Sequence, residues 1–174
     1  MGVGWVKRGN SGDLSEWEAV LYNWIYMQID KIKYKDLSAR KKEIFNFQKL
    51  ASILADYGFN CIKLSDDWEG ADFLAYQESV TLKVQLKSSI SIYKKYLNKD
   101  LYIAFRLDDR DIESNWCLIK HDELVSIMKN NSKWLDEDKK SWTENGYYRA
   151  GKVNRKILPY IEKYIINTKR PLNL

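Results

Sequence analysis

The chain has 174 residues, of which 45% are apolar and 14% aromatic, so it is long enough for one domain with its own core. Neither an apolar run of membrane-spanning length nor a signal-peptide pattern occurs, and we therefore expect a soluble, cytoplasmic protein with no membrane partner. The formal net charge of +5 is compatible with a polyanionic partner but does not require one.

The predicted elements begin with two helices. Ser15 and Glu18 form a capping-box pattern, which predicts a helix from there to about Ile29. A second helix is predicted over residues 38–57 and ends before Gly58, a typical residue after a helix C-terminus. Its apolar side chains recur at intervals of three and four along one stripe: Phe47, Leu50, Ala51, Leu54 and Tyr57.

The pattern then changes from helical to extended. Strands are predicted over residues 60–64 and 71–76, with a polar loop over residues 65–70 between them. After a turn at Glu78 and Ser79, residues 80–87 alternate between apolar and polar side chains. Further strands are predicted over residues 101–107 and 115–120, and helices over 122–129 and 158–166.

This order of elements predicts an α/β fold, a mixed sheet flanked by helices. No repeat or linker divides the chain, so we predict a single domain. It consists of an N-terminal helical extension (1–36), a core (38–120) and a C-terminal helical part (121–174).

The two strands around Glu78 and Ser79 form a predicted hairpin. If these two residues are its loop, Gln77 lies opposite Val80, and counting back places Asp72 opposite Gln85. Lys87 projects from that same face, two residues further on. A slip of one residue in this register would move the side chains to opposite faces.

Asp72, Gln85 and Lys87 together suit hydrolysis of a phosphodiester. The Asp72 carboxylate can hold a hard cation such as Mg²⁺ or Mn²⁺, and Gln85 offers a second oxygen ligand. The cation polarises the phosphate and lowers the pKa of bound water. Lys87 can orient or help deprotonate that water and offset the charge of the transition state.

The segments GADFLAY and TLKVQLKSS resemble the β-hairpin of the PD-(D/E)xK, restriction-endonuclease-like nuclease superfamily in its QxK variant. The resemblance covers residues 38–89 and implies Asp72 as the metal-binding aspartate and Lys87 as the catalytic lysine. Gln85 takes the (D/E) position, and Ala71 stands where the motif often has proline. The implied function is a Mg²⁺-dependent DNA endonuclease, which would act as a homodimer to cut both strands of a duplex with one site per chain.

An acidic residue of the first core helix usually completes such a site, and Glu43 is the candidate here. Helical winding places it within about 40° of Phe47, Leu50 and Leu54, on the apolar stripe, where a metal would satisfy its charge. Alternatively, its carboxylate reaches solvent near the start of the helix. Gln48 lies on another side and is the poorer candidate. Asp66, Asp67 and Glu69 either supply a ligand or form a solvated loop.

Residues beside the hairpin are candidates for DNA contacts. Ser88, Lys94 and Lys95 follow the strand of Lys87 and can hold phosphates, although an ordinary polar connection explains them equally well. Trp68 can touch a base or a sugar, or can simply belong to the loop.

The remaining chemistry-bearing residues suggest structural roles. His121 is the sole histidine, which excludes multi-histidine metal sites within one chain and favours packing or helix capping. Cys61 and Cys117 lie in apolar runs and are predicted to be reduced thiols. Two other functions stay open: the same fold with an inactive site that binds nucleic acid or protein, and a small interaction protein of a defence or toxin system.

Overall fold

The computed structural model describes residues 16–17, 30–111, 115–166 and 171–174. Residues 34–174 form one compact unit and residues 1–33 another; the sheet and the helices that flank it belong to residues 34–174. Of the helix predicted from Ser15 to Ile29, Glu16 and Trp17 are described and are helical, and the rest lies outside the described residues.

Helix α1 spans Ala39–Ala55 and agrees with the prediction to within two residues at its ends. Ser38 caps it, because the Ser38 hydroxyl oxygen accepts a hydrogen bond from the backbone N–H of Lys41 at 3.4 Å. Gly58 has a φ of 81°, the left-handed conformation expected just after a helix. Leu50 and Leu54 are fully buried and place this helix on the sheet.

The strands of the described residues are β1 Asn60–Trp68, β2 Ala71–Gln77, β3 Val80–Lys87, β4 Ser91–Tyr93, β5 Tyr102–Arg106, β6 Trp116–Lys120, β7 Tyr147–Arg149 and β8 Ile165–Ile166. Six of them form a mixed sheet at the centre of the fold, in the order β1-β2-β3-β5-β6-β8. Strands β3 and β5 are parallel, and the other neighbouring pairs are antiparallel. Strands β4 and β7 form a separate two-stranded sheet.

Both faces of the sheet are covered, as the alternation of strand β5 shows. Ala104 packs with Leu50 and Leu54 of α1, whereas Ile103 and Phe105 belong to the core on the opposite face. That second core includes residues of three further helices: α2 His121–Asn131, α3 Lys140–Thr143 and α4 Leu158–Ile161. Short 3₁₀ turns occur at Tyr34–Asp36, Lys94–Tyr96 and Glu162–Tyr164. The predicted mixed sheet with flanking helices is thus confirmed.

Two predicted boundaries are wrong. Strand β1 continues to Trp68 through the segment predicted as a loop, with an irregular register between Lys63 and Trp68. This strand lies at the edge of the sheet and none of its described side chains is buried, so its sequence lacks the alternation that marks a strand with one buried face. Residues 158–166 are not one helix, because Ile165 and Ile166 pair with strand β6 and extend the sheet.

Candidate active site

The hairpin register agrees with the prediction at its turn. Gln77 is paired with Val80, and the ladder continues without a slip to Phe73 and Val84. The paired residues end there, and continuing the same count by one residue would place Asp72 opposite Gln85 at the open end of the hairpin. Side chains of alternate residues share a face, so Lys87 projects on the side of Gln85.

Asp72 and Gln85 are held by hydrogen bonds at this end of the hairpin. A carboxylate oxygen of Asp72, Oδ2, accepts from the backbone N–H of Leu86 at 2.7 Å. Gln85 is 1% exposed, and its Nε2 donates to the carbonyl oxygen of Gly70 at 3.0 Å. Its side-chain oxygen, Oε1, is buried and has no hydrogen-bond partner among the described residues. Leaving such an acceptor unpaired costs about 1–3 kcal/mol.

The four residues predicted for catalysis line one cavity, which we call the hairpin cleft. Its volume is about 210 Å³. Strand β1, helix α1 and the hairpin all contribute to it, so its lining combines segments that are distant in the chain. The lining residues are Glu43, Lys63, Leu64, Ser65, Asp66, Gly70, Ala71, Asp72, Gln85, Lys87 and Tyr96.

Gly70 brings the backbone close to the wall of the hairpin cleft. Its φ is 97°, and a Cβ atom added there would lie 2.6 Å from two ring carbons of Tyr96. A side chain would therefore both strain the backbone and displace the Tyr96 ring. The carbonyl oxygen of Gly70 also accepts the hydrogen bond from Gln85 Nε2, and this bond fixes the orientation of the Gln85 amide.

Lys87 is half-buried at the end of strand β3. Its ammonium nitrogen lies 5.8 Å from the centre of the Tyr93 ring. No ion pair within the described part of the chain involves Lys87. Its positive charge is thus available to a phosphate or a water molecule in the cleft.

Of the two environments predicted for Glu43, the structure shows the one in which its carboxylate reaches solvent. Its side chain is 54% exposed and is not buried on the apolar stripe. The ammonium nitrogen of Lys63 lies 2.7 Å from its carboxylate, so a protein cation balances its charge. Asn46, one turn further along α1, is instead the buried polar residue in line with Leu50 and Leu54. Glu43 nevertheless lines the hairpin cleft, and Gln48 is exposed.

The oxygen donors of the cleft fit a hard divalent cation. The Asp72 carboxylate and the unpaired Gln85 Oε1 are the ligand types that Mg²⁺ prefers, and this ion commonly uses one or two carboxylates and keeps several waters. Among the described residues no three His, Cys, Asp or Glu side chains form a metal-binding cluster. A divalent cation bound here would therefore need the amide oxygen of Gln85 as a ligand beside the carboxylate of Asp72.

The acidic residues before the hairpin have different surroundings. Asp66 lines the cleft, whereas Glu69 pairs with Lys83 at 2.8 Å. Lys83 lowers the pKa of the Glu69 carboxyl through a hydrogen bond and its charge. The side chain of Asp67 lies outside the described residues.

The residues predicted to contact DNA occupy different surroundings. Trp68 is 53% exposed at the end of β1. Lys95 lies 4.6 Å from the ring centre of Tyr96, which lines the cleft. Lys94, by contrast, donates to the carbonyl oxygen of Thr143 and faces the ring of Trp142. Ser88 lines a second cavity beside the hairpin cleft.

His121 and the cysteines have the predicted structural character. His121 is fully buried, its Nε2 accepts from the backbone N–H of Tyr93 at 3.3 Å, and Tyr96 packs edge-on against its ring. Burial lowers the pKa of His121, although Asp122 opposes the shift. Cys61 and Cys117 are free thiols, and burial raises the pKa of each.

Sequence reasoning missed several residues of the site. Lys63 and Tyr96 line the cleft because strand β1 and the turn after β4 approach the hairpin, which no local pattern predicts. Asn46 had a signal, since it precedes Leu50 and Leu54 by four and eight residues on the buried side of α1.

No protein-family model and no curated protein sequence matches the chain significantly. No helix in the described ranges has the length and apolar character needed to cross a membrane.

Proposed function

We propose that this protein is a metal-dependent DNA endonuclease with a restriction-endonuclease-like fold. The observation that carries the proposal is the convergence of Asp72, Gln85, Lys87 and Glu43 on one cleft. Two of these side chains offer oxygen atoms suited to a hard cation, and Lys87 brings a positive charge without a carboxylate partner among the described residues. The resemblance of the hairpin to the QxK nuclease motif supports the same roles, with Asp72 as metal ligand and Lys87 as catalytic lysine.

In the proposed reaction, Asp72 and Gln85 would hold Mg²⁺ or Mn²⁺, which when bound would supply Lewis-acid activation of the phosphate and of water. The hydrogen bond from Leu86 fixes the Asp72 carboxylate, and the bond to Gly70 occupies Gln85 Nε2 and leaves Oε1 without a partner among the described residues. Lys87 orients the attacking water and stabilises the negative charge of the transition state. Glu43 joins the site when its bond with Lys63 opens.

DNA would approach over the surface where the cleft opens. Lys95 and Trp68 lie on or beside this surface, and their exposure suits contacts with the phosphate backbone and with bases. Ser88 is positioned to contact the adjoining strand. Lys94 is a weaker candidate, because its ammonium group already binds a backbone carbonyl. A homodimer is proposed for cutting both strands.

The alternative function is an inactive module of the same fold that binds nucleic acid or protein. The ion pair between Glu43 and Lys63 favours this alternative, because it balances a carboxylate that the enzyme would use for its metal. Gln85 also brings one negative charge fewer than an acidic residue at that position.

The deciding experiment is incubation of the protein with supercoiled plasmid and Mg²⁺ or Mn²⁺. The wild type should nick the plasmid, and Lys87→Ala should abolish nicking while leaving DNA affinity within about threefold, since one phosphate contact among many contributes modestly. Lys83→Ala is the matched control, because Lys83 is on the same strand and pairs with Glu69 instead of lining the cleft. A wild type that never nicks DNA with either metal would contradict the proposed enzyme.

A further inference from the structure

A second cavity adjoins the hairpin cleft, and we call it the flanking cleft. Its volume is about 320 Å³, at the lower end of the range of roughly 300–1,000 Å³ for small-ligand sites. The two cavities share Glu43 and Lys87. The flanking cleft is lined by Tyr34, Ala39, Lys42, Glu43, Asn46, Leu86, Lys87 and Ser88. Lys87 can therefore contact a ligand in either cavity.

Asn46 provides a buried polar group that lacks a partner. The residue is 4% exposed, and its Nδ2 donates to the hydroxyl oxygen of Tyr34 at 3.0 Å. Its Oδ1 has no hydrogen-bond partner within the described residues. A buried amide oxygen left in this state favours a ligand that brings a hydrogen-bond donor.

Positive charge surrounds Tyr34 at the same cavity. The ammonium nitrogen of Lys42 lies 5.5 Å from the centre of the Tyr34 ring, and the guanidinium carbon of Arg106 lies 4.5 Å from it. Arg106 is 1% exposed and donates to the backbone carbonyls of Asp109 and Asp111, each at 3.3 Å. Arg106 does not line the cavity itself, so an anion there would meet the ammonium groups of Lys42 and Lys87, which do line it.

The lysines attract an anion, and the unpaired acceptor needs a hydrogen-bond donor, so a ligand of this cavity should carry both a negative charge and a donor group. A phosphodiester is anionic but carries no hydrogen-bond donor, and a deoxyribose within a strand carries none either. The exocyclic amines of adenine, cytosine and guanine are donors, whereas thymine has no such amine. A nucleotide that places its phosphate near Lys42 and a base amine at Asn46 satisfies both features.

We propose that the flanking cleft binds the nucleotide next to the phosphate held in the hairpin cleft and selects an amine-bearing base there. Asn46 Oδ1 accepts from the exocyclic amine, and Lys42 contacts the phosphate. Tyr34 holds the other end of the Asn46 amide and so fixes which atom faces the ligand. This inference rests on the proposed function, because the hairpin cleft must hold a DNA phosphate.

The test measures DNA binding without cleavage, by fluorescence anisotropy in EDTA at one fixed salt concentration. Labelled duplexes carry thymine or an amine-bearing base at each position in turn. At one position the wild type should bind the amine-bearing base about three- to tenfold more tightly, which corresponds to one hydrogen bond. Asn46→Leu should lose this preference, and Lys42→Ala should weaken all duplexes by a similar factor.

Tyr34→Phe is the second test, because it removes the hydroxyl that orients the Asn46 amide. The amide can then turn, so the base preference should weaken while the affinity for duplexes with thymine at that position stays unchanged. Retention of the preference in Asn46→Leu, or its absence from the wild type, would overturn the proposal. Plasmid nicking in Mg²⁺ separates the two proposals. A base preference without nicking would support base selection by the flanking cleft and contradict the proposed nuclease activity. Nicking without a base preference would support the nuclease activity and contradict base selection by the flanking cleft.

Discussion

The ammonium nitrogen of Lys63 lies 2.7 Å from the carboxylate of Glu43, across the cavity that also contains Asp72 and Gln85. Strand β1 supplies the lysine and helix α1 the glutamate. The lysine charge balances the carboxylate in the absence of a metal, and the same charge opposes the approach of a cation. If the cleft holds a metal as proposed, this ion pair should weaken its binding, and the effect can be measured without DNA.

Lys63→Met should tighten Mn²⁺ binding, measured by isothermal titration calorimetry, by about two- to fivefold. This factor corresponds to the upper part of the range of roughly 0.2–1 kcal/mol for an exposed ion pair, from about 0.4 kcal/mol upward. Lys83→Met removes an equal charge that pairs with Glu69 outside the cleft lining, and it should leave the Mn²⁺ affinity nearly unchanged. Equal affinities in the two variants would show that Glu43 is not a ligand.

Gln85→Glu should make thermal stability depend more strongly on metal. Without metal, a carboxylate would be buried where Gln85 is 1% exposed and would lose the hydrogen bond to Gly70, so the variant should be less stable by about 1–3 kcal/mol. Added Mn²⁺ should raise the Tm of the variant more than that of the wild type, because the extra charge tightens binding to the folded state.

Gln85→Met is the control for that experiment. It keeps the length of the side chain, loses both the oxygen ligand and the donor to Gly70, and should show a smaller Mn²⁺-induced rise in Tm than the wild type. Identical rises in all three proteins would mean that residue 85 does not contact the metal.

Gly70→Ala should destabilise the protein and disturb the cleft. The φ of 97° alone costs of order 1–3 kcal/mol for a residue with a side chain. The added Cβ would also meet the Tyr96 ring at 2.6 Å. Urea unfolding gives the loss of stability. Gly146→Ala is the matched control, since Gly146 also has a positive φ but its nearest atom would be at an ordinary 3.7 Å. Comparable losses in both variants would contradict the tight contact with Tyr96.

The free energy of unfolding should fall as the pH decreases below about 6.5, the ordinary pKa of histidine. Burial lowers the pKa of His121 in the folded state, so the unfolded state takes up more protons in this range and is favoured. The contribution is fully present above the unfolded pKa and is lost as the pH falls toward the folded one. Urea titrations of wild type and His121→Gln should show a shallower pH dependence in the variant; equal slopes would exclude His121 as the cause.

The sequence by itself determined the hairpin and the residues it presents. Alternation from Val80 to Lys87 has a period of two, and Glu78 with Ser79 suits a tight turn, so both the faces and the register followed from local rules. The stripe of α1 followed in the same way from its helical period, with Leu50 and Leu54 buried as predicted.

The tertiary structure decided which other residues lie next to this hairpin. Lys63, Tyr96 and Asn46 reach the two clefts through packing between segments that are distant in sequence, and local periodicity carries no information about such distances. Strand β8 at Ile165 and Ile166 likewise exists because strand β6 offers it backbone partners. The environment of Glu43 was decided by a lysine twenty residues away, because a charge is balanced by whichever opposite charge the fold brings within reach.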